Sequence, residues 1–298
     1  MKYTYYTRSD KMNPVFLRLG PLEIRYYGLM YALSFIIGLK LAKISAKEKN
    51  ISEEFIEKYV MNAIIAGLIG GRLYYVIFNY KYYFKYPLEI PAVWHGGMAI
   101  HGAIIFGFLW SIVFAKLHKV NFWIFTDIAS PLLILGQAIG RFGNFMNGEI
   151  HGVPTFTPLR IIFSIKPKFY EWYNYYNSLS LSEQMNYKEI VPWGIVFPNN
   201  SPAGMEFPNT AVHPAMLYEL VLNFLAFLSL WFFFKKKNYK PGVLTGIYII
   251  EYSLIRIFVS FFRAEDLMFF DFRAPHVISF ILIIFATILI ITKSKKIK

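Results

Sequence analysis

Along the chain, apolar stretches of about bilayer length alternate with short polar breaks, at 26–42, 60–78, 98–115, 122–140, 213–234, 242–262 and 276–292. A helix rising 1.5 Å per residue crosses the ~30 Å hydrocarbon core in roughly 20 residues, so the pattern predicts seven transmembrane helices. Residues 141–212 break it: they are Pro-rich and carry Tyr170, Trp172, Tyr173, Tyr175 and Tyr176. They read as an arm between the fourth and fifth spans. Aromatic rings with polar edges favour the headgroup layer, which leaves two readings of the arm open, an interfacial anchor and a substrate-binding element. The expected fold class is an all-α integral membrane protein of seven helices with an extracytoplasmic arm, residues 1–298 forming a single polytopic membrane domain.

A chain that is 56% hydrophobic and only 16% charged excludes an ordinary water-soluble enzyme. Its net charge of +13 would suggest nucleic acid as the partner of a soluble protein. Here the basic residues cluster in alternate loops: Lys43, Lys47, Lys49 and Lys58; Lys116 and Lys119; Lys235, Lys236, Lys237 and Lys240; Lys293, Lys295, Lys296 and Lys298. Seven crossings put all four clusters on one side. By the positive-inside rule the carboxyl terminus is cytoplasmic and the amino terminus outside, in a multi-pass protein of the cytoplasmic (inner) membrane. The expected partner is therefore membrane lipid and not nucleic acid. The opening MKYTYYTRSDKMNP lacks the pattern of a removable signal peptide, so the first span is expected to stay as an anchor. There is no cysteine, so any sulfur chemistry needs a thiol that arrives on the substrate.

Ionisable groups within apolar spans are expensive and therefore informative: Arg72, His101, Asp127, Arg141, Glu219, Glu251 and Arg256. Arg256 lies more than a turn inside its span, with Tyr252, Ser260 and Arg263 at −4, +4 and +7 on the same helix face. Two guanidiniums and two hydroxyls on one stripe suit a lipid phosphate, because the guanidinium fork matches phosphate oxygens and stays charged. A purely structural network with Glu219 or Glu251 is the rival. His101, in GGMAIHGA with Gly96, Gly97 and Gly102, sits where missing side chains let a backbone or a substrate approach. The densest constellation is GQAIGRFGNFMNGEIHG, residues 136–152. Gly136 and Gly140 make a close-contact pair, and Gly143, Gly148 and Gly152 are expected to break the helix and leave amides beside Arg141, Asn144, Asn147 and Glu149.

The segment GRFGNFMNGEIHG closely resembles the signature of the bacterial prolipoprotein diacylglyceryl transferase family. IRYYGLMYAL, GGRLYYVIF, GGMAIHG, HPAMLYEL and RIFVSFFR resemble the family's other blocks in the same order, covering every span except the last. The resemblance implies an inner-membrane enzyme that moves diacylglyceryl from phosphatidylglycerol to the lipobox cysteine thiol of a prolipoprotein signal segment, releasing glycerol 1-phosphate. It places Tyr27, His101, Arg141, Asn144, Glu149, Gly152 and Arg256 on positions the family relies on. The family usually has Glu where this chain has Ser260, and Gln where it has His276.

The chemistry agrees with the residues. Breaking the lipid's carbon–oxygen bond turns a phosphodiester into a phosphomonoester of greater negative charge, and arginines in a water-poor cleft stabilise that growth. The expected catalytic set is His101, Arg141, Arg256 and Tyr27, with His101 as base and Tyr27 as the alternative. Two arginines lowering the thiol's pKa unaided is a third route. Asn144, Asn147, Glu149, Gly152, Arg263, Gly97 and Gly143 are the expected substrate-binding residues. No metal and no cofactor is called for, and HExxH, GxSxG and Asp-rich headgroup-transferase motifs are absent. Two alternatives remain, a transporter for an anionic lipid or metabolite and a non-catalytic relative that binds signal segments or anionic lipid.

Overall fold

The computed structural model describes residues 7–8, 12–20, 22–237 and 239–294. Lys295, Lys296 and Lys298 of the last basic cluster, and most of the opening segment, lie outside the described residues. Among the described residues, seven helices are long and apolar enough to cross a membrane: α1 (Tyr26–Glu48), α2 (Glu53–Phe78), α3 (Ile100–Leu117), α4 (Phe122–Asn147), α5 (Ala215–Phe234), α6 (Val243–Phe262) and α7 (Ala274–Ser294). Each coincides with an expected span, and the all-helical membrane class holds. Their exposed faces carry large apolar side chains such as Ile36, Leu68, Ile104 and Phe280, as lipid contact requires.

The ends differ from the expected ones for local reasons. α2 starts at Glu53, seven residues early, because Ser52 Oγ accepts the Phe55 amide at 3.2 Å and Glu53 and Glu54 favour the positive end of the helix. α4 does not break at Gly143 but runs through to Asn147. An internal glycine costs a helix only about 1 kcal/mol. The chain first turns at Gly148, whose φ of 66° lies in the left-handed region.

The chain divides into two compact units, Leu39–Ala129 and the remainder, Met1–Gly38 with Ser130–Lys298. In the first, α2 and α3 meet through glycine: a Cβ at Gly70 would strike the Phe106 ring and the Gly102 carbonyl, and one at Gly102 would strike Tyr74. Arg72 anchors the loop between them. Its Nε donates to Ile90 O at 2.8 Å, Nη1 to Gly96 O at 2.5 Å and Gly97 O at 2.9 Å, and Nη2 to Glu89 O at 2.5 Å and Ala92 O at 3.1 Å. Every donor of the guanidinium is used, on five carbonyls of a connection made of short helical turns and irregular chain.

In the second unit α6 packs against α5 and α7, and the segment between α4 and α5 has its own core. Phe169, Trp172, Phe197, Phe207 and Val212 are buried there, with Phe156, Tyr173, Tyr176 and Tyr187 packed on them. Trp172, Tyr173 and Tyr176 are thus core residues of the arm, while Tyr170 and Tyr175 face outward. Both sequence readings placed these rings at the surface. The arm is joined to the helix ends by a short ladder: Gly152 N donates to His213 O at 2.8 Å, His213 N to Val153 O at 3.0 Å, Val153 N to Phe262 O at 2.9 Å and Ala264 N to His151 O at 3.3 Å.

Replacing Arg72 by Met takes a donor from five loop carbonyls, of which Glu89 O and Ala92 O keep a backbone N–H, and each lost bond is worth about 1 kcal/mol even where water substitutes. The expected outcome is a melting temperature lowered by several degrees in detergent, and an unchanged melting curve would refute the anchoring role.

Candidate functional site

The second unit brings nine of the sequence-predicted residues to one end of its helices. Tyr27 is in the first turn of α1; Arg141, Gly143, Asn144 and Asn147 close α4; Glu149 and Gly152 follow its turn; Arg256 and Arg263 lie near and just past the end of α6. Gly143 supplies room for Tyr27, since a Cβ there would stand 3.1 Å from the ring's Cδ1 and 3.5 Å from its Cα. One edge of the phenol therefore rests against α4, with its hydroxyl beside the next residue, Asn144.

From this contact runs a continuous polar chain. Tyr27 donates its hydroxyl hydrogen to Glu149 Oε2 and accepts one from Asn144 Nδ2. Asn147 Nδ2 donates to the other oxygen of Glu149 at 2.8 Å. Asn144 Oδ1 accepts from Arg141 Nη1 at 2.9 Å, and Arg141 Nη2 donates to Glu219 Oε1 at 2.7 Å. Glu219, 1% exposed, has its second oxygen 3.9 Å from Arg256 Nη1. Arg256 Nη2 then meets Asp266 Oδ1 at 3.3 Å, and the same oxygen lies 3.4 Å from Arg263 Nη1.

Three mostly buried guanidiniums thus share two carboxylates. Their donors are not exhausted: Arg141 Nε, Arg256 Nη1 and Arg263 Nε are buried without a hydrogen-bond partner among the described residues. Burial first, and the neighbouring Arg256 next, push the Arg263 guanidinium below the ordinary arginine value. Asp266 and Glu219 oppose that shift without reversing it. Unused donors at a site of excess positive charge make a place for an anion.

The backbone of the turn is unusual. Ile150 has φ 58°, a left-handed conformation that costs a β-branched residue about 1–3 kcal/mol. It is held by Glu149 N donating to Asn144 O at 3.0 Å on one side and by the Gly152 ladder on the other. A Cβ at Gly152 would lie 2.6 Å from both His213 O and Phe262 O, so the ladder closes only on glycine. His151 is tied to Glu206 at 3.0 Å, and Glu206 accepts the Tyr170 hydroxyl at 2.8 Å. Although burial raises it, these two hydrogen bonds take the Glu206 carboxyl net below its ordinary range.

Gly97 and His101 belong to the first unit. A Cβ at Gly97 would meet Arg72 Nη1 and the Tyr75 ring, so this glycine accommodates the loop anchor. His101 is exposed at the start of α3, its ring 6.0 Å from that of Tyr74 and without a hydrogen-bond partner among the described residues. Glu251, a partner considered for Arg256, instead accepts the Ser229 hydroxyl at 2.8 Å. Sequence reasoning left Glu219 outside the site, though a carboxylate in a span was the available signal. It missed Asp266 altogether, because a loop residue past a helix end follows no spacing rule. Among the described residues no cluster of His, Cys, Asp or Glu is arranged to hold a metal.

The arrangement defines a polytopic membrane protein with a cluster of incompletely satisfied arginines at one end of its helices. Comparison with known proteins makes the class specific: the chain belongs to the prolipoprotein diacylglyceryl transferase family, whose model matches residues 14–292. It is 60% identical over 287 residues, 96% of this chain and 100% of the relative, to a phosphatidylglycerol--prolipoprotein diacylglyceryl transferase of Fusobacterium nucleatum. Relatives of the same name from Oceanobacillus iheyensis and Synechococcus elongatus are 36% and 33% identical, covering 95% and 93% of this chain and 89% and 86% of the relatives.

Gly152→Ala is expected to open the ladder and abolish activity, with a lower yield of folded protein; wild-type yield and activity would refute the close approach. His213, buried beside the ladder, has its imidazole pushed down by burial to about 4. The folded state then refuses a proton that the unfolded chain accepts below its usual 6.5. Stability is complete above that pH and falls by a few kcal/mol as pH drops towards 4. Melting temperatures in detergent across this window should show the slope, and His213→Gln should flatten it.

Proposed function

We propose that the protein transfers the diacylglyceryl group of phosphatidylglycerol to the cysteine thiol of a prolipoprotein, residues 1–298 acting as one polytopic domain of the bacterial inner membrane. Family membership supports the reaction. The observation that carries it to particular residues is the set of unused guanidinium donors on Arg141, Arg256 and Arg263.

The depth suits a lipid. Arg141 is six residues from the end of α4 and Arg256 six from the end of α6, each about 9 Å inside at helical rise. A 26-residue helix such as α4 is about 39 Å long and outspans the ~30 Å hydrocarbon core, so this depth falls near the boundary where phosphates reside. The lysines at the other ends of the second unit's own helices (Lys235 and Lys236 just past α5, Lys293 of α7) favour those ends as cytoplasmic. The arm, the amino terminus and the site then face outward, where a signal segment presents its cysteine.

In the reaction the thiol sulfur attacks the glyceryl carbon bonded to the phosphate ester oxygen. The sulfur–carbon bond forms, the carbon–oxygen bond breaks and its electron pair leaves on the phosphate, giving a thioether and glycerol 1-phosphate. Arg141 and Arg256 grip the phosphate and stabilise its second charge as it develops, with Arg263 beside them. Asn144, Asn147 and Glu149 shape the headgroup pocket, and Gly143 and Gly152 hold that pocket's walls together. His101 is the base proposed for the thiol proton, on the resemblance of GGMAIHG to the family's block and on its uncommitted ring nitrogens. Tyr27 is the less direct acceptor, because its own hydrogen is given to Glu149 and would have to pass there first. Gly97 serves through the loop that Arg72 orders.

Arg141→Lys and Arg256→Lys keep the charge and lose the fork. Loss of one strong donor in such a site costs about 3 kcal/mol, so turnover is expected to fall roughly 100-fold with normal membrane insertion. Purified protein, labelled phosphatidylglycerol and a lipobox peptide provide the assay, read as thioether product. Wild-type rates in both variants would remove the phosphate grip.

A further inference from the structure

Arg256, in α6, and Arg263, just past its end, carry like charges and would splay apart unless something held them. What holds them comes from off the helix. Asp266, with a side chain 3% exposed, sends Oδ1 to Arg256 Nη2 at 3.3 Å and to Arg263 Nη1 at 3.4 Å. Its Oδ2 accepts the Ser260 hydroxyl. Ser260 itself is fully buried, one turn past Arg256 on the same helix face. We propose that Asp266 is a positioning residue for the transfer, setting the angle at which Arg256 and Arg263 present their remaining donors to the departing phosphate. The inference rests on the transferase reading above.

The loop is built to fix this carboxylate. Leu267 O accepts Ala274 N at 2.7 Å, and Met268–Phe269 pairs antiparallel with Phe272–Arg273, Met268 opposite Arg273. The side chain of Arg273, 3% exposed, returns to α6 and donates from Nη1 to Ser260 O at 2.8 Å. Ser260 is thereby clamped twice, its carbonyl by Arg273 and its hydroxyl by Asp266. A positive group on the closing carbonyls of a helix is itself stabilising, which gives the hairpin a reason to stay in place.

One negative charge shared by two positive ones orders the pair without cancelling it. Were the carboxylate exclusive to Arg256, that guanidinium would be neutralised towards the ligand. Shared, it leaves Arg256 Nη1 and Arg263 Nε free. Geometry also says where a substitute carboxylate would have to start. The Ser260 side chain already points at Asp266 Oδ2, so a longer acidic side chain at position 260 would bring its carboxylate to the place Asp266 now fills.

The test uses the full-length protein in detergent or vesicles and three variants, Asp266→Asn, Asp266→Ala, and Asp266→Ala combined with Ser260→Glu. The Asn variant keeps shape and removes charge. It is expected to lower kcat roughly 10- to 100-fold while KM for phosphatidylglycerol changes less than about threefold, since misaimed donors fail the developing charge more than the resting diester. Affinity for glycerol 1-phosphate, measured by calorimetry, is expected to fall with kcat. The double variant is expected to regain at least about tenfold over Asp266→Ala in both readouts, which a merely structural role for Asp266 would not predict. Wild-type kcat and product affinity in Asp266→Asn, or no recovery in a folded double variant, overturns the proposal. If Asp266→Ala does not accumulate, comparison of Asp266→Asn with Asp266→Glu decides on the same two readouts. Absence of thioether with the unsubstituted protein would count against the transferase reading, and the calorimetric comparison would still decide the role of Asp266.

Discussion

A guanidinium held inside a membrane span must be solvated by something, and the second unit is organised around how incompletely that is done. Arg141, Arg256 and Arg263 have Glu219 and Asp266 between them, so two negative charges answer three positive ones. Complete pairing would make an inert interhelical clamp, in which desolvation consumes most of the Coulombic gain. Leaving the arginines bare would cost several kcal/mol each in hydrocarbon. The intermediate arrangement holds the forks in place yet keeps donors for a ligand that brings its own charge. Glu219 is the pivot, because its two oxygens face arginines from two different helices.

The backbone around the site follows from that requirement. For Arg141 and Glu149 to address one place, the chain must leave α4 and reverse within a few residues, and it does so through Gly148 and a strained Ile150. Such strain persists only where the surroundings over-determine it. Here the surroundings are the ladder on which residues 151–153 lie between His213 and the end of α6, closed on Gly152. The ladder also fixes the far end of α6, and with it Arg263 and the loop that carries Asp266. A glycine that touches no ligand in this account therefore governs the spacing of groups that do.

How much of this the sequence disclosed depended on whether the governing physics is local. The seven spans were legible because hydrocarbon thickness imposes a length on each. Arg141 and Arg256 were legible because charge in a span is costly enough to need a reason. The path of α4 was misjudged, since Gly143 looks like a helix breaker until Tyr27 is seen to occupy the space it leaves. Trp172, Tyr173 and Tyr176 of the arm turned inward while Tyr170 and Tyr175 did not, and composition cannot tell a ring facing outward from one facing another ring. Asp266 was invisible. It reaches Arg256 from ten residues away through a hairpin, and no periodicity connects the two. Ser260, by contrast, was visible both as a hydroxyl on the Arg256 face and as a missing acid, and the structure directs that hydroxyl at the Asp266 carboxylate.

Arg72 supplies the control for this reasoning within the same chain. It too is an arginine buried in a span, 6% exposed, and by residue type and location alone it ranks with Arg141 and Arg256 as a candidate for ligand binding. Yet its five donors meet five carbonyl oxygens of one loop, with the Tyr83 ring 5.2 Å below the guanidinium carbon. Nothing remains with which to grip a phosphate, and no carboxylate is required because carbonyl dipoles do the solvating. Burial of an arginine therefore does not by itself mark function. What separates the two kinds is the count of donors left over after the protein has satisfied its own backbone and acids, which is zero for Arg72 and at least one on each arginine of the Glu219–Asp266 cluster.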